Sequence, residues 1–241
     1  MKIIGISRVR NESKIIKNTL DHVSNLLDSI YIYDDCSTDN TVQICEAHPK
    51  VKKVLKGSNW VKTPEERRKA EGTLRQKVYL ESIKEKPDWI YCFDADEYAY
   101  FEDIDFSADA YKLKLFDYYI TEEDKEKNYL ERQYLGREYR EILMLFRFSP
   151  EIIFTQREPT LPLNYKIKCQ GSVKHYGKAI SIEEWEETCN YYINHRGGEV
   201  FTNFTKKWKK RCGKAIHKLS DFDTELIQWE ERYKKGYLLK E

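Results

Sequence analysis

Asp94-Ala95-Asp96 places two carboxylates two residues apart, directly after the apolar run Trp89–Phe93 (WIYCF). On extended backbone, residues i and i+2 point to the same side. Acids held together in this way repel, which opposes ionising both. A divalent cation removes the conflict. Mg2+ or Mn2+ bound by one or two carboxylates plus phosphate oxygens is a common arrangement. A solvated Asp-rich turn is the plain alternative for such a triplet standing alone. Two further polar clusters weigh against it. Ser7 closes the apolar run Lys2–Ile6 and is followed by Arg8, Arg10, Asn11 and Glu12. Asp34-Asp35-Cys36-Ser37-Thr38-Asp39 follows the run Ser29–Tyr33 (SIYIY).

The elements that must position these clusters read as an α/β chain. Lys2–Ile6 is a buried strand. Ile15, Ile16, Thr19, Leu20, Val23, Leu26 and Leu27 recur at helical spacing, with Ser13 as the expected N-cap. Ser29–Tyr33 is a second strand, and Thr38 or Asp39 caps a short helix to about Ala47. Lys52–Leu55 is a candidate third strand. Thr63-Pro64-Glu65-Glu66 is a capping box with Pro at the first helical position. It opens a helix to about Lys84, with Ala70, Leu74, Val78 and Ile83 inward, which Pro87 stops. Trp89–Phe93 is the fourth strand. This alternation predicts a parallel sheet flanked by helices. Open sheets of this kind bind ligands beyond the carboxyl ends of their strands, so the three polar clusters would share one crevice.

After residue 100 the pattern changes. Tyr111–Ile120 and Ile142–Phe148 read as strands, antiparallel additions to the sheet, with a charge-dense surface excursion over 121–141. Ser181-Ile-Glu-Glu184 opens a largely helical stretch with breaks at Gly197-Gly198 and Gly213. The expected organisation is one α/β domain over 1–180 and a helical extension over 181–241. With 241 residues the chain can bury roughly 70–75% of its unfolded surface. Its 18 Tyr, 10 Phe and 5 Trp exclude a disordered chain. Lys+Arg total 42 against 41 Asp+Glu, which is not the footprint of a dedicated nucleic-acid binder. No apolar run approaches the ~18 residues of a membrane span, and the first residues turn polar too early for a signal peptide, so the expected compartment is cytoplasmic. The six cysteines form no CxxC pair and read as reduced thiols.

Taken together, Arg10-Asn11-Glu12, YIYDDCSTDNT at 31–41, Arg75-Gln76 and FDADEY at 93–98 make the chain similar to the family 2 glycosyltransferases, with the nucleotide-sugar-binding GT-A fold. A bacterial sugar-transferase subgroup has an arginine-bearing strand, a His-Glu pair and a His-Tyr-Gly in that order. Here the matching pieces are Leu145-Phe-Arg-Phe148, Gln156-Arg157-Glu158 and His175-Tyr176-Gly177, with Arg157 in place of the usual histidine. The resemblance covers about residues 2–185. It implies that Ser7 and Asp35 contact the nucleobase, with Arg10 and Glu12 on the loop beside it. Arg75 lies near the base and diphosphate, and Asp94 reaches the ribose. Asp96 binds Mn2+ or Mg2+, and His175 is a further metal or diphosphate ligand. Glu158 is the general base of an inverting transfer to a carbohydrate or lipid-linked hydroxyl. The donor would be a nucleoside-diphosphate sugar, UDP- or dTDP-linked by preference, because a carboxylate at 35 accepts from a ring N–H.

Plainer readings stand beside these roles. Glu158 can be a surface acid, with Glu151 and the acids of 121–141 competing for the base. His175 can be a core histidine bonded to a backbone carbonyl. Arg75 can be a solvated helix residue, and Asp34 a turn former. Phe201–Lys218 carries seven Lys or Arg and no acid, whereas Asp221–Glu231 carries five acids and no base. The favoured reading is two helices paired through opposite charge with their aromatics inward. The other is peripheral contact of segment 201–218 with the inner membrane face. Two other function classes compete: a sugar-nucleotide nucleotidyltransferase, which needs a glycine-rich phosphate loop absent from Ser7–Glu12, and a non-catalytic nucleotide-sugar-binding module.

Overall fold

In the computed structural model, which describes residues 1–101, 104–197 and 202–239, the elements follow in order. They are β1 (Ile3–Val9), α1 (Ile16–Val23), β2 (Ser29–Asp34), α2 (Thr41–Ala47), β3 (Val51–Lys56), α3 (Pro64–Ser82), β4 (Trp89–Phe93), β5 (Glu97–Tyr100) and β6 (Ala110–Tyr118). There follow β7 (Tyr134–Arg147), β8 (Ile153–Phe154), β9 (Pro159–Thr160), β10 (Ile167–His175), α4 (Ile182–Tyr191), α5 (Thr202–Arg211), β11 (Leu226–Gln228), α6 (Arg232–Lys235) and β12 (Tyr237–Leu238). The chain divides into two compact units. The first holds Met1–Val61, Arg68–Leu113 and Ile142–Gly171; the second holds Lys62–Arg67, Lys114–Glu141 and Ser172–Glu241.

In the first unit the strands β3, β2, β1 and β4 are neighbours in that order, and the 142–147 part of β7 lies next to β4. β2, β1 and β4 pair in parallel, in register Gly5↔Ile30 and Ile4↔Ile90. β7 adds to β4 antiparallel, Ile90 facing Phe146. β2 and β4 are buried along their whole length, which is why their sequences are apolar without alternation. β3 is the edge, and its exposed Lys52, Lys53 and Lys56 discourage pairing with another chain. Ile4, Ile6 and Ile90 are fully buried in a core shared with Val78 and Tyr79 of α3 and with Phe146 and Phe154. Each such aliphatic side chain contributes about 1.5–3 kcal/mol. α3 opens as expected, the Thr63 hydroxyl accepting from the Glu66 N–H at 3.3 Å. α1 does not: it starts at Ile16 with no side-chain cap, and the Ser13 N–H instead donates to Asp39. Asp39 also accepts from the Thr41 N–H at 3.0 Å at the head of α2.

The second unit departs further from expectation. β7 begins at Tyr134, inside the supposed excursion, and pairs antiparallel with β11 through Leu135↔Ile227 and parallel with β12 through Glu138↔Tyr237. Arg137, Arg140 and Glu141 hide a strand whose Leu135 is fully buried. The C-terminal stretch is accordingly only partly helical. Its core is Trp185, Cys189, Trp208 and Ala215, with Tyr192 stacked on Trp208 at 4.2 Å and the Trp185 indole N–H donating to the Arg211 carbonyl at 3.1 Å. The aromatics do face inward. The acidic stretch, however, forms β11 and a short turn rather than a second long helix, and of its acids Asp221 pairs with Arg211 at 2.6 Å. Gly198 and Phe201 lie outside the described residues. No helix among the described residues is long and apolar enough to cross a membrane.

Candidate active site

Because β2, β1 and β4 are parallel neighbours, their following loops emerge at one edge of the first unit. The first strand does not end at Ser7 but runs on to Val9. Ser7 is consequently fully buried, and its hydroxyl has no hydrogen-bond partner among the described residues. The two loops beyond are stitched together. Arg10 Nη1 donates to the Asp35 carbonyl at 2.8 Å and to the Cys36 carbonyl. The Asn11 N–H donates to Ser37 Oγ at 2.9 Å, and the Glu12 N–H to Thr41 Oγ1 at 2.7 Å. Asn11 and Cys36 sit at φ 55° and 60°, a left-handed region that costs a non-glycine residue about 1–2 kcal/mol. The Arg10 guanidinium lies 4.1 Å from the centre of the Trp60 ring. The two aspartates differ in role. The Asp34 carboxylate accepts from the Ser37 N–H at 3.0 Å, as a turn former does. Asp35 is buried, and its own N–H is bonded to Val9 O at 2.9 Å.

Asp94 and Asp96 are not on extended backbone. The chain turns over Ala95 and Asp96 from β4 into β5, and the Thr19 hydroxyl donates to the Ala95 carbonyl. The Asp94 N–H donates to Glu97 Oε2 at 2.9 Å. Asp94 also enters a chain of alternating charge. Arg8 meets Glu71 at 3.3 Å, and Glu71 meets Arg75 Nε at 3.0 Å. Arg75 Nη2 reaches Asp94 Oδ1 at 2.5 Å, and Asp94 Oδ2 faces Arg157 Nε at 3.3 Å. Arg157 Nη2 closes on both Glu97 oxygens at 2.5 and 2.6 Å. The Arg75 and Glu97 side chains are each only 3% exposed. Arg75 is thus no solvated helix residue. Burial works against the ionised Glu71 carboxyl, but Arg75 and then Arg8 outweigh it and hold the group at about 2. Asp94 is likewise held far below the usual carboxylate range, burial being overcome by Arg75 and Arg157. Asp96 is half-buried at the turn.

Sequence reasoning missed Glu71 and gave no role to Arg8, Glu97 or Arg157. Glu97 stands in FDADEY and Arg157 replaces an expected histidine, so both were visible without a role. Their pairing spans 60 residues and exists only in the fold.

Glu158 follows Arg157 between β8 and β9, half-buried, and its Oε2 accepts from the Leu143 N–H at 2.9 Å. Its rival Glu151 is exposed. The β8–β9 hairpin is held on α3: the Phe154 N–H donates to Gln76 Oε1 at 2.7 Å, and the Tyr79 hydroxyl donates to the Ser149 carbonyl at 2.6 Å. At Gly72 a Cβ would lie 2.1 Å from the Thr155 carbonyl carbon and 2.5 Å from the Gln156 nitrogen. No side chain fits there without moving the backbone that carries Arg157 and Glu158. Gly72→Ala is therefore expected to lower stability by about 1–3 kcal/mol, the usual cost of overpacking, measured as a shift in urea midpoint at unchanged m-value. An unchanged midpoint would mean that the hairpin yields freely.

In the second unit His175 ends β10 and bonds a carboxylate rather than a backbone carbonyl. Its Nδ1 lies 2.5 Å from Asp117 Oδ1. Asp117 also receives Arg140 at 2.7 Å and Lys178 at 2.8 Å. Burial disfavours its charge, but Lys178 and Arg140 keep it ionised well below the usual range. A carboxylate on one imidazole nitrogen orients the other toward a metal in many metal sites. Among the described residues no group of three or more His, Cys, Asp or Glu side chains is arranged to hold a metal. A cation that takes one or two carboxylates plus phosphate oxygens fits Asp96 better than Asp94, both of whose oxygens already accept from arginines.

Residues 6–105 match the family described as glycosyl transferase family 2. An uncharacterized protein of Mycobacterium bovis and one of Mycobacterium tuberculosis are each 32% identical over 96 residues, 40% of this chain. The chain spans 23% of the length of those curated relatives. Among solved structures, S. aureus TarS 1-349 in complex with UDP aligns over 97% of this chain and 78% of its own, at 13% identity and TM-score 0.44. Glucosyl-3-phosphoglycerate synthase from Mycobacterium tuberculosis, in complex with Mn2+, UDP and glucosyl-3-phosphoglycerate, aligns over 40% of this chain and 34% of its own, at 18% identity and TM-score 0.28.

Proposed function

Because residues 6–105 carry the glycosyl transferase family 2 match, we propose that the protein transfers a sugar from a nucleoside-diphosphate donor to a hydroxyl acceptor, with inversion and with a divalent metal. The observation that carries this reading is Asp94. It ends β4 beside the loops of β1 and β2, clamped between Arg75 and Arg157. The two arginines favour its ionised form, which makes it an acceptor for the donor's ribose hydroxyls. Asp35 is the reader of the base, with Arg10 and Glu12 holding the loop around it. Ser7 serves from beneath, within β1, and Arg75 acts on the donor through Asp94. Asp96 would hold a Mg2+ or Mn2+ ion, whose charge would neutralise the diphosphate leaving group. His175, whose Nδ1 is bonded to Asp117, is assigned a ligand role toward metal or diphosphate.

Glu158 takes the acceptor proton. Its Oε2 is held by the Leu143 N–H, and Oε1 is the atom that receives the proton. As the acceptor oxygen bonds to the anomeric carbon, the bond from that carbon to the diphosphate oxygen breaks and the nucleoside diphosphate leaves. Attack opposite the leaving group inverts the centre. The acceptor is a glycan or lipid-linked sugar, reached by peripheral contact at the inner face of the membrane. A nucleotidyltransferase is the weaker reading, because the loop after β1 has no glycine to cradle a triphosphate.

Calorimetric titration tests the donor site. UDP and dTDP are expected to bind in the presence of Mn2+ more tightly than ADP, because adenine offers Asp35 no ring N–H. Asp96→Ala should remove the Mn2+-dependent part of the affinity. Asp35→Asn should weaken UDP by about 1–2 kcal/mol, the gap between charged and neutral hydrogen bonds. Equal affinity for UDP and ADP in both proteins would make Asp35 a turn residue. Mn2+-dependent binding that survives Asp96→Ala would take Asp96 out of the metal site.

A further inference from the structure

The second unit contains a concave space of about 910 Å3 bounded by α4, α5 and the segment 213–223, a size typical of ligand sites. Its wall is two-sided. Ile182, Ile216 and Leu219 line it and are 39%, 36% and 44% exposed, unusual for aliphatic side chains set together. Lys206, Lys207, Lys210, Lys214 and Lys218 surround them. Among the described residues no acid forms a salt bridge with any of these five lysines. Three acids also line the space: Asp221, held by Lys178 and Arg211 at 2.6 Å each, Glu186, which accepts from the Gly213 N–H at 2.8 Å, and the exposed Asp223, so the cations outnumber the acids. Partial desolvation and the neighbouring cations Arg211 and Lys178 lower the pKa of the Lys207 ammonium, with Asp221 opposing them.

The walls are held in place. The His217 N–H donates to the Ile120 carbonyl at 2.8 Å, pinning Ile216 beside Ile120 in a parallel bridge. Trp208 packs inward on Tyr192, so α5 turns its lysines outward and keeps its aromatic side for the core.

An apolar floor inside a ring of uncompensated ammonium groups is complementary to an anionic amphiphile. The geometry points to this pocket as a seat for the phosphate headgroup of an anionic membrane lipid, with the first part of its chains on Ile182, Ile216 and Leu219. The free anion alone would leave the floor uncovered, and a neutral lipid would leave the lysines uncompensated. This assignment deepens the peripheral-contact part of the proposed function and rests on that part alone. It also changes the contact, because pocket and lysines do the work rather than inserted aromatics.

The test is co-sedimentation of the full chain with phosphatidylcholine vesicles, with and without phosphatidylglycerol. Binding is expected only to the anionic vesicles and should weaken as salt rises. Lys206→Gln/Lys207→Gln/Lys210→Gln should lower the vesicle affinity on the order of 100-fold, about fivefold for each charge near the surface. Ile216→Ser/Leu219→Ser, which keeps every charge, should also weaken it. All of these side chains except that of Ile216 are well exposed, and a UDP-dependent thermal shift equal to that of the parent protein shows that each variant is folded and that the donor site is intact. No binding to anionic vesicles, or unchanged binding by the lysine variant, overturns the assignment. Binding that the serine variant retains in full and that inorganic phosphate competes away also overturns it, in favour of a plain phosphate site. If the UDP shift is missing in the parent protein while vesicle binding behaves as expected, the donor reading fails and the lipid seat stands.

Discussion

Glu158→Gln should retain donor binding and lose transfer by a factor of roughly 10²–10⁴, the usual contribution of a positioned acid–base group. The substitution keeps an acceptor oxygen for the Leu143 N–H, the contact that fixes the side chain at 2.9 Å. The loss should therefore fall on kcat and leave the UDP affinity within a factor of about two, since the hydrogen bond that orders the loop survives. If the variant turns over at the parent rate, the proton goes to another acid, and the exposed Glu151 is the first to exchange. If UDP binding collapses together with turnover, Glu158 is a structural residue of the β8–β9 hairpin.

Arg75→Met is the second large effect. Arg75 pairs with both Glu71 and Asp94, and its side chain is 3% exposed. Methionine fills most of the volume and leaves the Glu71 carboxylate and the half-buried Asp94 carboxylate each short of a partner. Breaking a buried pair from one side costs about 3–5 kcal/mol, readable in a urea or thermal denaturation curve. The pH dependence carries a sign. Glu71 is held at about 2 in the folded chain against its ordinary value of 4.5, and Asp94 is lowered in the same direction. A depressed carboxylate adds stability that is fully present above its unfolded value and is lost as pH falls toward the folded one. The gap between the parent protein and Arg75→Met should thus be complete at pH 7 and narrow steadily below about pH 4. A gap that stays constant through acid would mean that Arg75 contributes packing and not charge.

The strands that position the site were legible because β1, β2 and β4 are almost wholly buried and each carries an apolar run, Ile3–Ile6, Ile30–Tyr33 and Trp89–Phe93. The α3 start was legible because Thr63, Pro64 and Glu66 leave little alternative. Boundaries were less so. β1 extends past Ser7 because Val9 resumes the buried run after Arg8, and a single charged residue at a strand end does not stop it. β7 was lost among charges that turn to solvent while Leu135 turns inward. The ion chain could not be read at all. Nothing local in Glu97 or Arg157 shows that they meet across 60 residues, and a lone helical Arg75 looks the same buried or solvated. For the same reason His175 was visible as a candidate, whereas Asp117, which orients it, was not.

Release of nucleoside diphosphate tests the central claim most directly. The full chain is incubated with Mn2+, UDP- and dTDP-linked sugars and a mixture of glycan and lipid-linked acceptors, and the nucleotides are separated by chromatography. The account predicts UDP or dTDP accumulating in step with glycosylated acceptor, with the release suppressed in Glu158→Gln and the anomeric configuration of the product opposite to that of the donor. It is contradicted if no donor yields a nucleoside diphosphate, or if the release is the same with Glu158→Gln as with the parent chain.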